Sequence, residues 1–104
     1  MTVCTMTITN PLGLHARAAA RFVHAASRFS ARIRVARGER EMDGKSIMGL
    51  LLLAAARGSV ITISADGADE AEAVAVLCGL VERGFDELPL DAASDGASGG
   101  VPCD

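Results

Sequence analysis

The apolar residues of this chain change period repeatedly along its length, and that alternation limits the folds open to it. Residues 2–9, TVCTMTIT, alternate and are rich in β-branched side chains, the two-residue period of a half-buried strand. After the loop Asn10-Pro11-Leu12-Gly13 the period becomes helical. Over 16–27, Ala19, Phe22, Val23 and Ala26 share one face, and Arg17, Arg21, His24 and Arg28 form the opposite stripe, of which Arg21, His24 and Arg28 read as solvated. Residues 32–36, RIRVA, alternate again, and Arg37-Gly38-Glu39 reads as a turn into a short strand over 40–43. Gly44-Lys45-Ser46 then precedes IMGLLLLAAA, a short apolar helix over 47–56 expected to stop at Gly58. VITISAD, 60–66, is a further strand. Residues 69–83 predict a closing helix with Asp69, Glu70 and Glu72 in its first turn, where the dipole favours acids. Its core face is Val74, Leu77, Leu80 and Val81, and Gly84 suits its C-terminus.

The order β-α-β-β-α-β-α predicts an α+β fold: an open-faced two-layer sandwich, with three helices on one face of a four-stranded, largely antiparallel sheet. One domain is expected over 1–88. From Pro89 the composition shifts to Gly, Ser, Ala and Asp, and 89–104 reads as a disordered tail. Only three residues are aromatic, all Phe, so the core is expected to rest on Ala, Val, Leu, Ile and Met.

Several classes of function fall away. The opening MTVCTMTITNP lacks the basic flank and apolar run of a signal peptide, and the run over 47–56 is too short to cross a bilayer. No membrane insertion is expected. Cys4, Cys78 and Cys103 lack CxxC spacing, which fits reduced, structurally inert thiols in a cytoplasmic protein better than a disulfide frame. Charge is distributed unevenly. Residues 1–38 carry six arginines and no acid, while the remaining four cations and all 13 acids lie beyond them. A basic face meeting an anionic partner is implied. Nucleic acid is disfavoured, with no Trp or Tyr to stack on bases and a single Lys.

His15 stands where the loop meets the first helical pattern, two residues before Arg17. It reads either as a solvated or capping residue or as a reactive group. Metal binding is not expected, because His24 is nine residues away and no Cys or carboxylate is near in sequence. Ser27 and Ser30 have no base or orienting acid for hydrolysis. Phosphoryl handling remains: helix N-terminal amides bind phosphate, Arg17 adds a charge-assisted donor, and the dipole and cation favour a neutral, nucleophilic imidazole. GEREMDGKS is not a P-loop, since Gly38 and Gly44 are separated by five residues where the motif needs four. Ser46 reads as a helix N-cap, a position that also tolerates phosphate. Ile47, Met48, Leu50 and Leu51 read mainly as core, with Ile47 and Met48 the candidates for exposure.

GLHARAAA followed by GKSIMGLLLLAA, with VITISADGADEAEAV beyond, resembles the histidine-containing phosphocarrier protein (HPr) family of the bacterial phosphoenolpyruvate-dependent phosphotransferase system. The likeness covers roughly residues 3–88. It implies the HPr-like open-faced sandwich, and a carrier rather than an enzyme, monomeric and without cofactor. By this resemblance His15 takes a phosphoryl group on Nδ1 from enzyme I and passes it to a IIA domain, and Arg17 compensates the phosphoryl charge. Ser46 matches the serine that HPr kinase/phosphorylase modifies in many bacteria. Arg21, His24, Ile47, Met48 and Leu51 would form the surface on which partners dock. The chain departs from the family pattern at Ala18, where proline is usual. Proline there preorganises the helix entry without taking part in the chemistry. A rival reading is a regulatory interaction module, of the nitrogen or catabolite-control type, that acts through partner binding controlled by phosphorylation.

Overall fold

The computed structural model describes residues 1–86. The expected boundary at 88 and the tail over 89–104 lie outside the described residues. Strand β1 (Thr2–Thr7) is followed by helix α1 (Ala16–Ala26), strands β2 (Arg32–Arg37) and β3 (Arg40–Asp43), helix α2 (Ile47–Leu53), strand β4 (Val60–Asp66) and helix α3 (Glu70–Glu82). A 3-10 turn over Gly84–Asp86 ends the described chain. The four strands form one antiparallel sheet in the order β1-β4-β2-β3. Cys4 and Val35 both pair with Ile63, one from each side. Alternation therefore sends Ile33, Val35, Ile61, Ile63 and Ala65 into the core with the helices, and leaves Val3, Thr5, Thr62 and Ser64 on the uncovered face. This is the expected open-faced α+β sandwich.

The core differs from expectation in one respect. Phe22 and Phe85 are among its largest fully buried side chains, and Phe29 is buried as well. Few aromatics did not mean a core without them; each one present is spent inside, where its area counts most. Phe85 gets there by an unusual backbone, with φ 61° in the 3-10 turn after Gly84.

Three element ends are set by long-range contacts. Helix α2 stops at Leu53, not at Gly58, because Ala54 turns into the left-handed region at φ 52° and ψ 40°. Arginines from the β2–β3 hairpin take the freed carbonyls: Arg37 Nη1 donates to Leu53 O at 3.1 Å and Arg40 Nη1 to Leu52 O at 2.9 Å. Asp69 precedes α3 but makes no side-chain bond to that helix. Its carboxylate accepts the backbone N–H of Ser30 and of Ala31, both at 2.9 Å, and the Ser30 bond first of all holds it below the usual carboxylate range. At the start of the chain Thr2 Oγ1 donates to Glu70 at 2.6 Å, and the terminal ammonium of Met1 lies 3.0 Å from the same carboxylate.

Candidate functional site

The loop before α1 is built to present one side chain. Gly13 N donates to Asn10 O and the Asn10 amide donates to Gly13 O at 2.8 Å, closing a tight turn with Gly13 at φ 67°. Leu14 N donates to Ala55 O at 2.9 Å, fastening the loop to the chain leaving α2. His15 follows as the N-cap of α1, with extended backbone and a half-buried side chain. Its Nδ1 accepts the backbone N–H of Arg17 at 3.3 Å. That contact requires an unprotonated Nδ1, so a neutral imidazole carries its proton on Nε2. The Nδ1 lone pair thus points toward the head of a helix.

The first intrahelical bond is Ala19 N to His15 O. The N–H groups of Ala16, Arg17 and Ala18 precede it and have no acceptor within the helix, which is the usual basis of an anion site. Arg17 is exposed on this first turn. Ala18 is fully buried, so the position that departs from the family pattern serves as core here.

Arg21 is not a solvated member of the basic stripe: its Nη1 donates to Phe85 O at 2.7 Å, tying α1 to the turn after α3. His24 is exposed in the last turn of α1, and Arg28 is exposed just beyond it. Ser46 is the N-cap of α2, accepting Gly49 N–H at 3.0 Å. It does not meet His15. The His15 loop rests against the C-terminal end of α2 and Ser46 caps the other end, a helix length of about 10 Å away.

Ile47 and Met48 are exposed, at 43% and 65%, while Leu50 is fully buried and Leu51 half-buried against the core. Two further apolar side chains stand in solvent: Leu52 at 54%, next to Leu51 in α2, and Leu12 at 68%, in the loop before His15. Both escaped the sequence reading. Leu52 was findable, since it follows Met48 by four residues and shares its helical face. Two hollows open around Arg32 and Arg34 on the uncovered face of the sheet, and neither is lined by His15. His15 itself is half-buried, and Leu12, three residues before it, is exposed. Among the described residues no three His, Cys, Asp or Glu side chains gather to hold a metal, and no helix is long and apolar enough to cross a membrane.

Comparison with known proteins places this geometry. The family model described as the HPr component phosphorylation site of the phosphotransferase system matches residues 3–83. The phosphocarrier protein HPr of Neisseria meningitidis serogroup A is 50% identical over 80 residues, covering 77% of this chain and 90% of that protein. The phosphocarrier protein NPr of Shewanella violacea is 43% identical over 82 residues, covering 79% and 90%. Among solved structures, an HPr from Thermoanaerobacter tengcongensis superposes with a TM-score of 0.82 at 44% identity, covering 86% of this chain and all of that one.

Proposed function

Because the chain belongs to the HPr family of phosphotransferase-system phosphocarriers, we propose that it carries a phosphoryl group on Nδ1 of His15, taken from enzyme I and passed to a IIA domain. The observation that carries this reading is the 3.3 Å contact from Arg17 N–H to His15 Nδ1. It leaves that nitrogen unprotonated and directed at the amides a phosphoryl group would need. In the transfer, the Arg17 N–H releases Nδ1, whose freed lone pair attacks phosphorus while the bond from phosphorus to the donor breaks. The phosphoryl oxygens come to lie against the first-turn N–H groups of α1 and the Arg17 guanidinium. The reverse displacement, with an acceptor nucleophile, frees His15 again.

Ser46 is read as a second, regulatory phosphorylation site, the target of an HPr kinase/phosphorylase. A phosphate there joins the first-turn amides of α2 and adds charge beside Ile47 and Met48 without reaching His15. The docking surface is read as Ile47, Met48, Leu51 and His24, joined by Leu12 and Leu52. Arg21 contributes mainly by bracing α1.

The test is labelling with phosphoenolpyruvate and enzyme I. One acid-labile, base-stable phosphoryl group is expected, lost in His15→Ala and kept in His24→Ala; labelling that survives in His15→Ala overturns the assignment. Arg17→Ala is expected to slow transfer by about 10- to 150-fold, the equivalent of one charge-assisted contact made only in the transition state.

A further inference from the structure

We propose that Cys4 and Cys78 form an oxidation-sensitive pair, which a peroxide closes into an intramolecular disulfide fastening β1 to α3. Cys4 occupies an inward position of β1, between Thr2 and Met6, and Cys78 lies on α3 next to Leu77 and one turn from both Val74 and Val81. Both thiols are free, half-buried and packed against the same core, so they are ordered yet reachable by a small oxidant. Helix α3 lies against β1 and β4. The Thr2–Glu70 bond already joins the two elements, one inward position before Cys4 on the strand and two turns before Cys78 on the helix. Helix α3 runs against β1, and the side chains of Cys4 and Cys78 come within interaction range of one another.

Their environments give the two thiols different roles. Burial first, then the hydrogen bond with Cys4, push the Cys78 thiol up to about 12, so it stays protonated at neutral pH. The first attack is therefore assigned to Cys4, whose sulfur gives up its proton as it reacts. Its sulfur attacks one oxygen of hydrogen peroxide, the O–O bond breaks, and the departing hydroxide takes up a proton to become water. Cys4 is then a neutral sulfenic acid. The Cys78 sulfur next attacks the Cys4 sulfur, the S–S bond forms as the S–O bond breaks, and hydroxide leaves with the Cys78 proton as a second water. Two electrons pass from the two thiols to one peroxide. The resting protein stays reduced; the disulfide is a state reached under peroxide and reversed by thiol exchange.

The experiment uses the full chain carrying Cys103→Ser, so that only these two thiols remain. Dilute reduced protein is treated with equimolar hydrogen peroxide at neutral pH, quenched by alkylation and analysed by intact mass and non-reducing peptide mapping. The expected result is a monomer lighter by two hydrogens, a cross-linked peptide pair containing residues 4 and 78, and a Tm raised by about 5 °C or more that dithiothreitol restores. Two alkylatable thiols after treatment, oxygen addition at Cys4 without a cross-link, or disulfide-linked dimers in place of the internal bond would each overturn the proposal.

Discussion

Gly13 and Ala55 meet backbone to backbone: a β-carbon on Gly13 would stand 2.6 Å from the Ala55 carbonyl oxygen and 2.9 Å from Cα of Ala56. Neither neighbour is a side chain that can swing aside. The loop that presents His15 is thus seated on the exit of α2, and a methyl group is enough to unseat it. Gly13→Ala combines left-handed strain with a clash and is expected to cost about 2–4 kcal/mol in denaturant unfolding. It should also slow phosphoryl transfer to His15. Gly38→Ala is the control: its φ is also positive, +61°, but open space surrounds it. It should lose only about 1–2 kcal/mol and leave transfer unchanged. Equal losses in the two variants would mean that the seating contributes nothing.

The end of α2 holds a residue in the wrong conformation for its type. Ala54 is exposed with φ 52°, where a β-carbon is strained and glycine is not. Ala54→Gly should therefore stabilise the domain by about 0.5–1 kcal/mol, after subtracting the extra chain entropy of glycine. A higher urea midpoint with an unchanged slope is the expected result; a lower midpoint would show that this turn carries no strain.

Acid should loosen the join between β1 and α3. The bond from Thr2 first, then the terminal ammonium, hold the Glu70 carboxyl down to about 2, against an ordinary 4.5. A carboxyl lowered on folding stabilises the fold above its unfolded value, and that contribution disappears as pH falls through the folded one. Stability should therefore decline between about pH 4.5 and 2 in the wild type. Glu70→Gln should be less stable at pH 6 and show a shallower decline over that window. Parallel pH profiles would assign the acid sensitivity elsewhere.

Ser46 separates capping from charge. Ser46→Ala removes the acceptor for Gly49 N–H and should cost about 1 kcal/mol of stability while leaving transfer to His15 intact. Ser46→Asp retains a good cap but places a negative charge beside Ile47 and Met48. It should keep stability near that of the wild type and raise the KM that enzyme I shows for this protein. The ratio of the two KM values, at equal ionic strength, decides; a ratio of one would reduce Ser46 to a cap.

Much of the fold was legible because its strands and its longer helices each bury one face. TVCTMTIT and VITISAD advertise period two, and the Ala19–Phe22–Ala26 face advertises 3.6. His15 and Arg17 were legible for a related reason, since a helix head is a local feature and both residues lie within it. The misreadings all involve residues whose partners are distant in sequence. Nothing near Ala54 announces a stop; the carbonyls it frees are taken by Arg37 and Arg40 from the preceding hairpin. Asp69 resembles an acid placed for the dipole of its own helix, yet it serves the amides of Ser30 and Ala31. Arg21 sits in a basic stripe by spacing, but Phe85, 64 residues away, claims it. A lone Phe after Gly84 carries no periodic signal, although it is one of the largest buried side chains.

The strand order also dictates a timetable for a chain made from its N-terminus. Strand β1 is synthesised first, yet its neighbour in the sheet is β4, with Cys4 paired to Ile63. At roughly 5–20 residues per second, the ribosome takes about 3–12 s to supply that partner. During that interval β1 has no strand to bond to, and the β2–β3 hairpin lacks the neighbour that joins it to the rest of the sheet. Residues 60–66 complete both ladders at once, so the sheet closes in a single late step. A translational pause before residue 60 would prolong the exposure of an unpaired, β-branched strand; a pause once residues 60–66 have emerged from the ribosome would not.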